Sequence, residues 1–192
     1  SDPNLDKIVV RLYNSTNNLI NSSTTSASPN YINFSGLVEG IYFYNATAND
    51  TFSNENSLTT RNITLDTSSP NIQFVSPITE TGNFSQNYIE ANVTASDSIT
   101  DIDTITIYLY NSTDLVNTTT SSSSPYFFNF TGLLDEQYYL NATVNDTVGN
   151  ENQTETRSII LDSTNPQIFY NPNTDADSSF VNRNWVFINI TA

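Results

Sequence analysis

The feature that most constrains this chain is an internal repeat with a spacing of 96 or 97 residues. Three pairs of short segments show it: LYNST at 12–16 and 109–113, NFSGL at 33–37 with NFTGL at 129–133, and YNATANDT at 44–51 with LNATVNDT at 140–147. A unit of this length is the size of a small domain and is far longer than a solenoid repeat. The 192 residues therefore amount to two periods.

The repeat is cut inside its unit. Residues 70–95 correspond to 166–192, and the sequence that follows residue 95 corresponds to the start of the chain, SDPNLDKIVVRLY. Joining Ala192 to Ser1 of another copy would continue the repeat without a gap. We therefore expect the chain ends to fall within a domain.

Apolar and polar residues alternate through much of the repeat, as is typical of half-buried β-strands. Ile105, Ile107 and Leu109 share one face of such a strand. Turn-rich segments such as 121–125 and 146–152 separate these runs, and no apolar stripe has the period of a helix. Six or seven short strands per repeat predict an all-β fold of tandem Greek-key, immunoglobulin-like β-sandwiches.

Composition excludes several classes of function. The chain has no His and no Cys, so a Ser-His-Asp triad, a thiol nucleophile, a zinc site and a disulfide are ruled out. Five Lys and Arg against 20 Asp and Glu leave a net charge of −15, which argues against nucleic-acid binding. No apolar run is long enough to span a membrane. We expect a protein that is not an enzyme.

A set of motifs resembles a known family. The linker D-[ST]-x-x-P is followed by an apolar strand, a Leu precedes a Tyr by five residues (Leu37 and Tyr42, Leu133 and Tyr138), and [YL]-N-A-T-x-N-D-T-x-x-N follows. These features resemble the tandem immunoglobulin-like or fibronectin-III-like repeats of archaeal and bacterial surface glycoproteins, including glycosylated extracellular fibrils. The Leu-to-Tyr spacing is similar to the tyrosine corner of such sandwiches. The chain departs from antibody-type domains in lacking the Cys, Trp, Cys set, so no disulfide is implied.

The resemblance implies a division of the chain. Residues 67–162 would form one complete domain with strands A to G, 1–66 would supply only strands C to G, and 163–192 would supply only strands A and B. Neither fragment can close a sandwich alone, and open strand edges capture other strands. The A and B strands of one copy would complete the next copy head to tail, as a homopolymer. The apolar residues expected to insert are Ile168, Val186, Ile188 and Ile190.

The same geometry fits separate subunits and one long repeat polypeptide. Either way, we predict a structural component of an extracellular or cell-surface filament of a prokaryote. Two alternatives stay open: a stalk or adhesin binding module, and an accessory carbohydrate-binding domain of a secreted enzyme. A bound ligand would distinguish them.

Sequons for N-glycosylation are abundant. There are about twice as many N-x-[ST] sequences as a shuffled chain of this composition would carry. Where the strand phase can be read, they lie on the polar face, where a glycan must be. Polar Asn, Ser and Thr could also simply keep a sheet surface soluble. The predicted sites are Asn14, Asn21, Asn33, Asn45, Asn49, Asn62, Asn83, Asn92, Asn111, Asn117, Asn129, Asn141, Asn145, Asn152 and Asn189.

Acidic residues cluster in the predicted turns, and their oxygens could bind Ca²⁺. No EF-hand pattern is present, and Asp is an ordinary turn residue, so we expect no cofactor other than glycans and keep Ca²⁺ as the alternative. A hairpin pairing Ala142 with Leu161 would place Asp146 opposite Arg157, with Asp50 and Arg61 equivalent in the first copy. We expect a cross-strand ion pair, with a ligand contact as the alternative. The acidic candidates are Asp2, Asp6, Asp50, Asp97, Asp101, Asp103 and Asp146.

Overall fold

The computed structural model describes residues 2–192 and contains strands, turns and loops, with no helix in that range. The prediction of an all-β fold is confirmed. In chain order the strands are β1 (Leu5–Asn14), β2 (Leu19–Thr25), β3 (Gly40–Asp50), β4 (Glu55–Ser57), β5 (Arg61–Leu65), β6 (Asn71–Phe74), β7 (Gly82–Phe84), β8 (Tyr88–Ser96), β9 (Ile102–Tyr110), β10 (Leu115–Ser121), β11 (Tyr126–Thr131), β12 (Gln137–Asp146), β13 (Glu151–Gln153), β14 (Arg157–Leu161), β15 (Phe169–Tyr170) and β16 (Ile190–Thr191).

Strands β6 to β14 form a β-sandwich, which we call the middle sandwich. One sheet has the order β10-β9-β12-β14-β7, with β13 also paired to β12, and the other has the order β11-β8-β6. The chain changes sheet between β6 and β7, between β7 and β8, between β8 and β9, between β10 and β11, and between β11 and β12. These crossings make the arrangement a Greek key of the immunoglobulin type.

The core of the middle sandwich follows from the alternation in the sequence. Ile105, Ile107 and Leu109 of β9 are fully buried, while the residues between them are half exposed. Strands β8, β12 and β14 show the same alternation. The buried side chains are Ile72, Ile89, Ala91, Val93, Ile105, Ile107, Leu109, Phe130, Tyr138, Leu140, Ala142, Val144, Ile159 and Leu161.

Both predicted tyrosine corners are present. The Tyr138 hydroxyl donates to the Leu134 carbonyl at 3.2 Å, and the Tyr42 hydroxyl donates to the Val38 carbonyl at 2.8 Å. Burial, together with the Glu136 carboxylate nearby, raises the pKa of Tyr138, so the phenol remains a donor at neutral pH.

Strands β1 to β5 form a separate sheet, the N-terminal sheet, with the order β2-β1-β3-β4 and with β5 also paired to β3. By the repeat spacing, β1, β2, β3, β4 and β5 are the counterparts of β9, β10, β12, β13 and β14, in that order. Residues 30–35 are the counterpart of β11, but they form no strand. In the middle sandwich β11 pairs with β8, and no strand of residues 2–65 corresponds to β8.

Residues 163–192, the C-terminal arm, contain the hairpin pair β15 and β16. Phe169 is paired with Thr191 and Tyr170 with Ile190. These pairs reproduce the register of Gln73 with Thr94 and Phe74 with Val93 between β6 and β8. The arm therefore has the local pairing of strands A and B. The domain boundaries after residues 66 and 162 stay a prediction.

The predicted pairing of Asp146 with Arg157 is wrong, and so is that of Asp50 with Arg61, because Arg61 lies opposite Tyr44. Arg157 lies opposite Leu140, not at the end of the hairpin. The reason is the tight turn after β12: Asp146 Oδ1 accepts from the N–H groups of residues 148, 149 and 150 at 2.7–2.9 Å. This turn makes the connecting loop shorter than the predicted pairing of Asp146 with Arg157 would leave, so Arg157 pairs further along β12.

Candidate assembly interface

The inner face of the N-terminal sheet is an open apolar groove with a volume of about 840 Å³. Strands β1, β3 and β5 form its floor, and the strandless segment that contains residues 30–35 forms one wall. The lining residues are Ile8, Val10, Leu12, Asn30, Tyr31, Ile32, Asn33, Phe34, Leu37, Tyr44, Asn45, Ala46, Leu58, Thr59, Arg61, Ile63 and Leu65.

Comparison of the two repeats shows what the groove lacks. Ile159 of β14 is 0% exposed beneath the facing sheet, whereas its counterpart Ile63 of β5 is 48% exposed. Leu12 and Tyr42 are nevertheless buried. Since β6 and β8 form most of the sheet that faces β14, the groove has the shape left when those two strands are removed.

The arm carries the matching apolar face. The four residues predicted to insert, Ile168, Val186, Ile188 and Ile190, are all exposed. Ile188 is 64% exposed, whereas its counterpart Ala91 in β8 is 0% exposed. The structure thus places both apolar faces in solvent, and no residue of the arm lines the groove.

The positions of two further residues at this interface were not predicted from the sequence. Phe180 is fully exposed, while its counterpart Phe84 packs against the core of the middle sandwich. Arg61 is exposed in the groove, while its counterpart Arg157 is 13% exposed in its side chain and contacts Glu80 at 2.5 Å. An alignment of the arm with residues 75–88 could have indicated Phe180.

The connections to the neighbouring segments lie at opposite ends of the middle sandwich. At one end, Asn152 Nδ2 donates to the Pro70 carbonyl at 2.9 Å, where the chain enters. At the other end, the Asp135 carboxylate accepts from the N–H and hydroxyl of Ser163, both at 2.8 Å, where the chain leaves. Strand β12 runs between these ends for ten residues, which corresponds to about 34 Å.

Three carboxylates meet where the chain enters the middle sandwich. Single oxygens of Asp66, Asp97 and Asp146 lie within 4.8 Å of one another. Burial raises the pKa of Asp146, but hydrogen bonds from Asn150 and from the backbone of the turn outweigh it and hold the pKa below its usual value. These bonds show that the Asp146 carboxylate holds the turn together.

Two other acidic residues that were candidates for Ca²⁺ also have hydrogen-bond partners. Asp103 accepts from the side chain of Asn145, and Asp50 forms the counterpart turn in the first repeat.

The sequon asparagines lie on the surface, with one exception. Asn92 is on the outer face of β8, as its phase predicts, but it is only 8% exposed. Its amide donates to the Ser76 carbonyl at 3.2 Å, beneath the segment that crosses from β6 to β7. The other fourteen are exposed or half exposed. Glycosylation itself stays a prediction.

Comparison with known proteins gives fold likenesses only. No protein-family model matches the chain, and no curated protein matches it. Fibronectin(III)-like modules of Clostridium thermocellum CbhA align with a TM-score of 0.41 and 16% identity over 84% of this chain and 79% of theirs. Domains FN1–FN3 of chicken CNTN1 align with a TM-score of 0.42 and 13% identity, over 82% of this chain and 56% of theirs.

An engineered protein aligns with a TM-score of 0.38 and 14% identity over 49% of this chain, which spans 20% of that protein. We base the fold on strand pairing and draw no functional conclusion from likenesses at these TM-scores. The fold defines a protein built from immunoglobulin-like or fibronectin-III-like β-sandwiches. No helix within residues 2–192 has the length and apolar character to cross a membrane.

Proposed function

We propose that this chain is a non-enzymatic structural module of an extracellular, N-glycosylated filament, in which the C-terminal arm of one copy completes the N-terminal sheet of the next. The groove carries this proposal: its strands match β9, β10 and β12–β14, and the arm matches β6 and β8. The middle sandwich of the same chain shows how those two sets of strands fit together.

The middle sandwich also supports a specific register. There, β11 pairs with β8 so that Asn129 lies opposite Glu90 and Phe127 opposite Asn92. By the repeat spacing, Asn33 of the receiving copy would lie opposite Phe187 of the arm, and Tyr31 opposite Asn189. Residues 30–35 would then become the strand that they do not form alone. Main-chain hydrogen bonds would provide affinity, and the apolar side chains would provide fit.

The position of the arm favours a second copy over self-insertion. The arm leaves the end of the middle sandwich that is opposite to the end where the N-terminal sheet is attached. To fill its own groove, the arm would have to turn back along the whole sandwich. A head-to-tail contact between copies needs no such turn, and it propagates as a filament.

Two variants of the full chain test the assembly. Ile63→Asp places a charge in the groove and Ile188→Asp places one on the arm; both residues are exposed in the single chain, so folding should survive. We expect the native chain to form long oligomers, each variant alone to stay near 21.3 kDa, and their mixture to give a dimer of twice that mass in light scattering.

The matched control is Ile160→Asp, which is exposed on the outer face of β14 and should assemble like the native chain. Assembly of the Ile188→Asp chain by itself, or no dimer in the mixture, would contradict the proposal. Denaturing electrophoresis of native material after deglycosylation separates the two filament types. A band near 21 kDa indicates subunits, and very high mass indicates one long polypeptide.

The glycan coat is supported by the surface position of fourteen sequon asparagines. Glycans would cover the outer sheet faces and block lateral pairing of strand edges such as β2 and β10. The test is the intact mass of the native protein. A mass well above the peptide's 21.3 kDa is expected, and the bare peptide mass would refute the glycan coat without affecting the assembly proposal.

A further inference from the structure

The assembly proposed above concerns the apolar faces of the arm and the groove. We propose, resting on that assembly, that the arm of a second copy makes a separate attachment at the free edge of β5. In this attachment the crossing segment of the arm clasps Arg61, and Phe180 covers the end of the strand. We call this attachment the clasp.

The middle sandwich shows the clasp in its complete form. The segment between β6 and β7 crosses from one sheet to the other over Arg157. The Arg157 guanidinium lies 4.9 Å from the centre of the Phe74 ring and 2.5 Å from Glu80. Strand β7 then pairs in parallel with β14, placing Phe84 opposite Leu161. One arginine thus connects the crossing segment to the strand beside it.

The N-terminal sheet has the receiving half of this arrangement. Within residues 2–192, β5 pairs with β3 alone, so its second edge is free. Arg61, Ile63 and Leu65 line the groove along that edge, and Arg61 is the one charged residue among the lining residues. No ion pair is formed by Arg61 with any residue from 2 to 192.

The arm has the inserting half. Tyr170 corresponds to Phe74 and is exposed, so its ring is available to a guanidinium. Phe180 corresponds to Phe84 and is fully exposed. Ala176 stands where Glu80 would be, and its neighbour Asp175 is already paired with Arg183 of the same arm, so Asp177 is the exposed acidic residue of the crossing segment that remains for Arg61. The negative charge of Asp177 complements a groove whose one charged lining residue is positive.

The repeat spacing gives the contacts of the clasp. Phe180 would lie opposite Leu65, Ser179 opposite Thr64, and Tyr170 against the Arg61 guanidinium. This order is parallel, whereas the pairing of the arm with residues 30–35 would be antiparallel. The clasp lies at the free edge of β5, whereas the other pairing lies at residues 30–35, so a substitution can weaken one attachment without weakening the other.

The dimer formed by the Ile63→Asp and Ile188→Asp chains contains one joint, by which we mean one arm inserted in one groove. Its dissociation constant therefore reports the strength of a single joint and of the clasp within it. Phe180→Ala is introduced into the chain with the intact arm, and the dissociation constant is measured by sedimentation. Because a fully exposed phenyl ring becomes buried, we expect binding to weaken on the order of tenfold to a hundredfold. Phe187→Ala, on the opposite face of the same arm, is the matched control and should change binding less than about twofold.

Equal effects of Phe180→Ala and Phe187→Ala would overturn the clasp and leave the assembly proposal intact. Failure of the unsubstituted pair to form any dimer would overturn both. Since Phe180 is fully exposed in the single chain, its replacement should not disturb folding.

A cross-link tests the parallel register independently, because the chain has no native cysteine. Ser179→Cys in the arm should form a disulfide rapidly with Thr64→Cys in the groove. Asn62→Cys, two residues away on the same edge of β5, is the control and should react slowly. Preference for Asn62→Cys would refute the register.

Discussion

The Asp135 carboxylate accepts a hydrogen bond from the Ser163 N–H at 2.8 Å, which ties the start of the C-terminal arm to the corner between β11 and β12. The Thr164 hydroxyl donates to the other oxygen of the same carboxylate. Glu39 holds Thr67 and Ser68 in the same way, one repeat earlier. Each linker is therefore fixed at the point where it leaves a tyrosine corner, which suits a stiff array.

We predict that the Asp135 contact is lost only in strong acid. Hydrogen bonds from Thr164 and Ser163 lower the pKa of Asp135 from its usual 3.8 to about 2. Because the folded value lies below the usual one, the stabilisation is complete above about pH 4 and disappears as the pH falls through about 2. The measurement is the carbon-13 shift of the Asp135 carboxyl as a function of pH.

Thr164→Val tests the cause of that shift. Removing the hydroxyl donor should raise the pKa of Asp135 toward its usual value, because the Thr164 side chain makes the largest contribution. Thr131→Val is the control, since no side-chain hydrogen bond of Thr131 occurs within residues 2–192. An unchanged titration of Asp135 in Thr164→Val would show that the linker contact does not hold the carboxylate.

The tyrosine corner of the middle sandwich should contribute measurably to stability. Tyr138→Phe removes the hydroxyl that donates to Leu134 and accepts from its N–H. We expect the free energy of unfolding to fall by about 1–2 kcal/mol, since the Leu134 backbone loses both of its bonds to the hydroxyl. Hydrogen exchange of core amides in β9 and β12 is the measurement. Tyr139→Phe, on the outer face of the same strand, should change it by less than about 0.5 kcal/mol.

The contacts of Arg157 should differ in strength. Glu80→Gln should cost less than about 1 kcal/mol, because the Glu80 side chain is 69% exposed and its charge is screened. Arg157→Ala should cost about 1–2 kcal/mol, because it also removes the stacking on Phe74. Chemical denaturation gives both values. A larger cost for Glu80→Gln than for Arg157→Ala would mean that the ion pair, not the stacking, holds the crossing segment.

The alternation in the sequence was sufficient to predict which faces of β8, β9, β12 and β14 are buried, since burial has the period of the strand. It was not sufficient to place Arg157, because the register of that hairpin depends on hydrogen bonds from the turn backbone to the Asp146 carboxylate. Asn92 is similar: its face was predicted correctly, but the segment that covers it is set by the crossover between β6 and β7. Arg61 and Phe180 were missed because their roles depend on that same crossover.

The covered position of Asn92 leads to a prediction about glycan occupancy. Folded native protein should carry no glycan at Asn92, because the crossing segment covers its amide nitrogen and a glycan there would displace that segment. Asn129, which is exposed on the neighbouring strand β11, is the internal control and should be modified. Site-resolved mass spectrometry gives both occupancies. Equal occupancy at the two sites would mean that the crossing segment opens in the folded protein.

Residues 30–35 should become a strand only when two copies join. In the single chain Asn33 is exposed and this segment has no β-partner within residues 2–192, so its amides should exchange rapidly with solvent. In the joint, β-pairing with the arm should slow that exchange, while the amides of β11 in the same molecule stay unchanged. Asn33→Cys should also form a disulfide with Phe187→Cys of a second copy, and Tyr31→Cys, two residues out of register, should not. Slow exchange already present in the single chain would contradict folding on assembly, because the segment would then need no partner to order it.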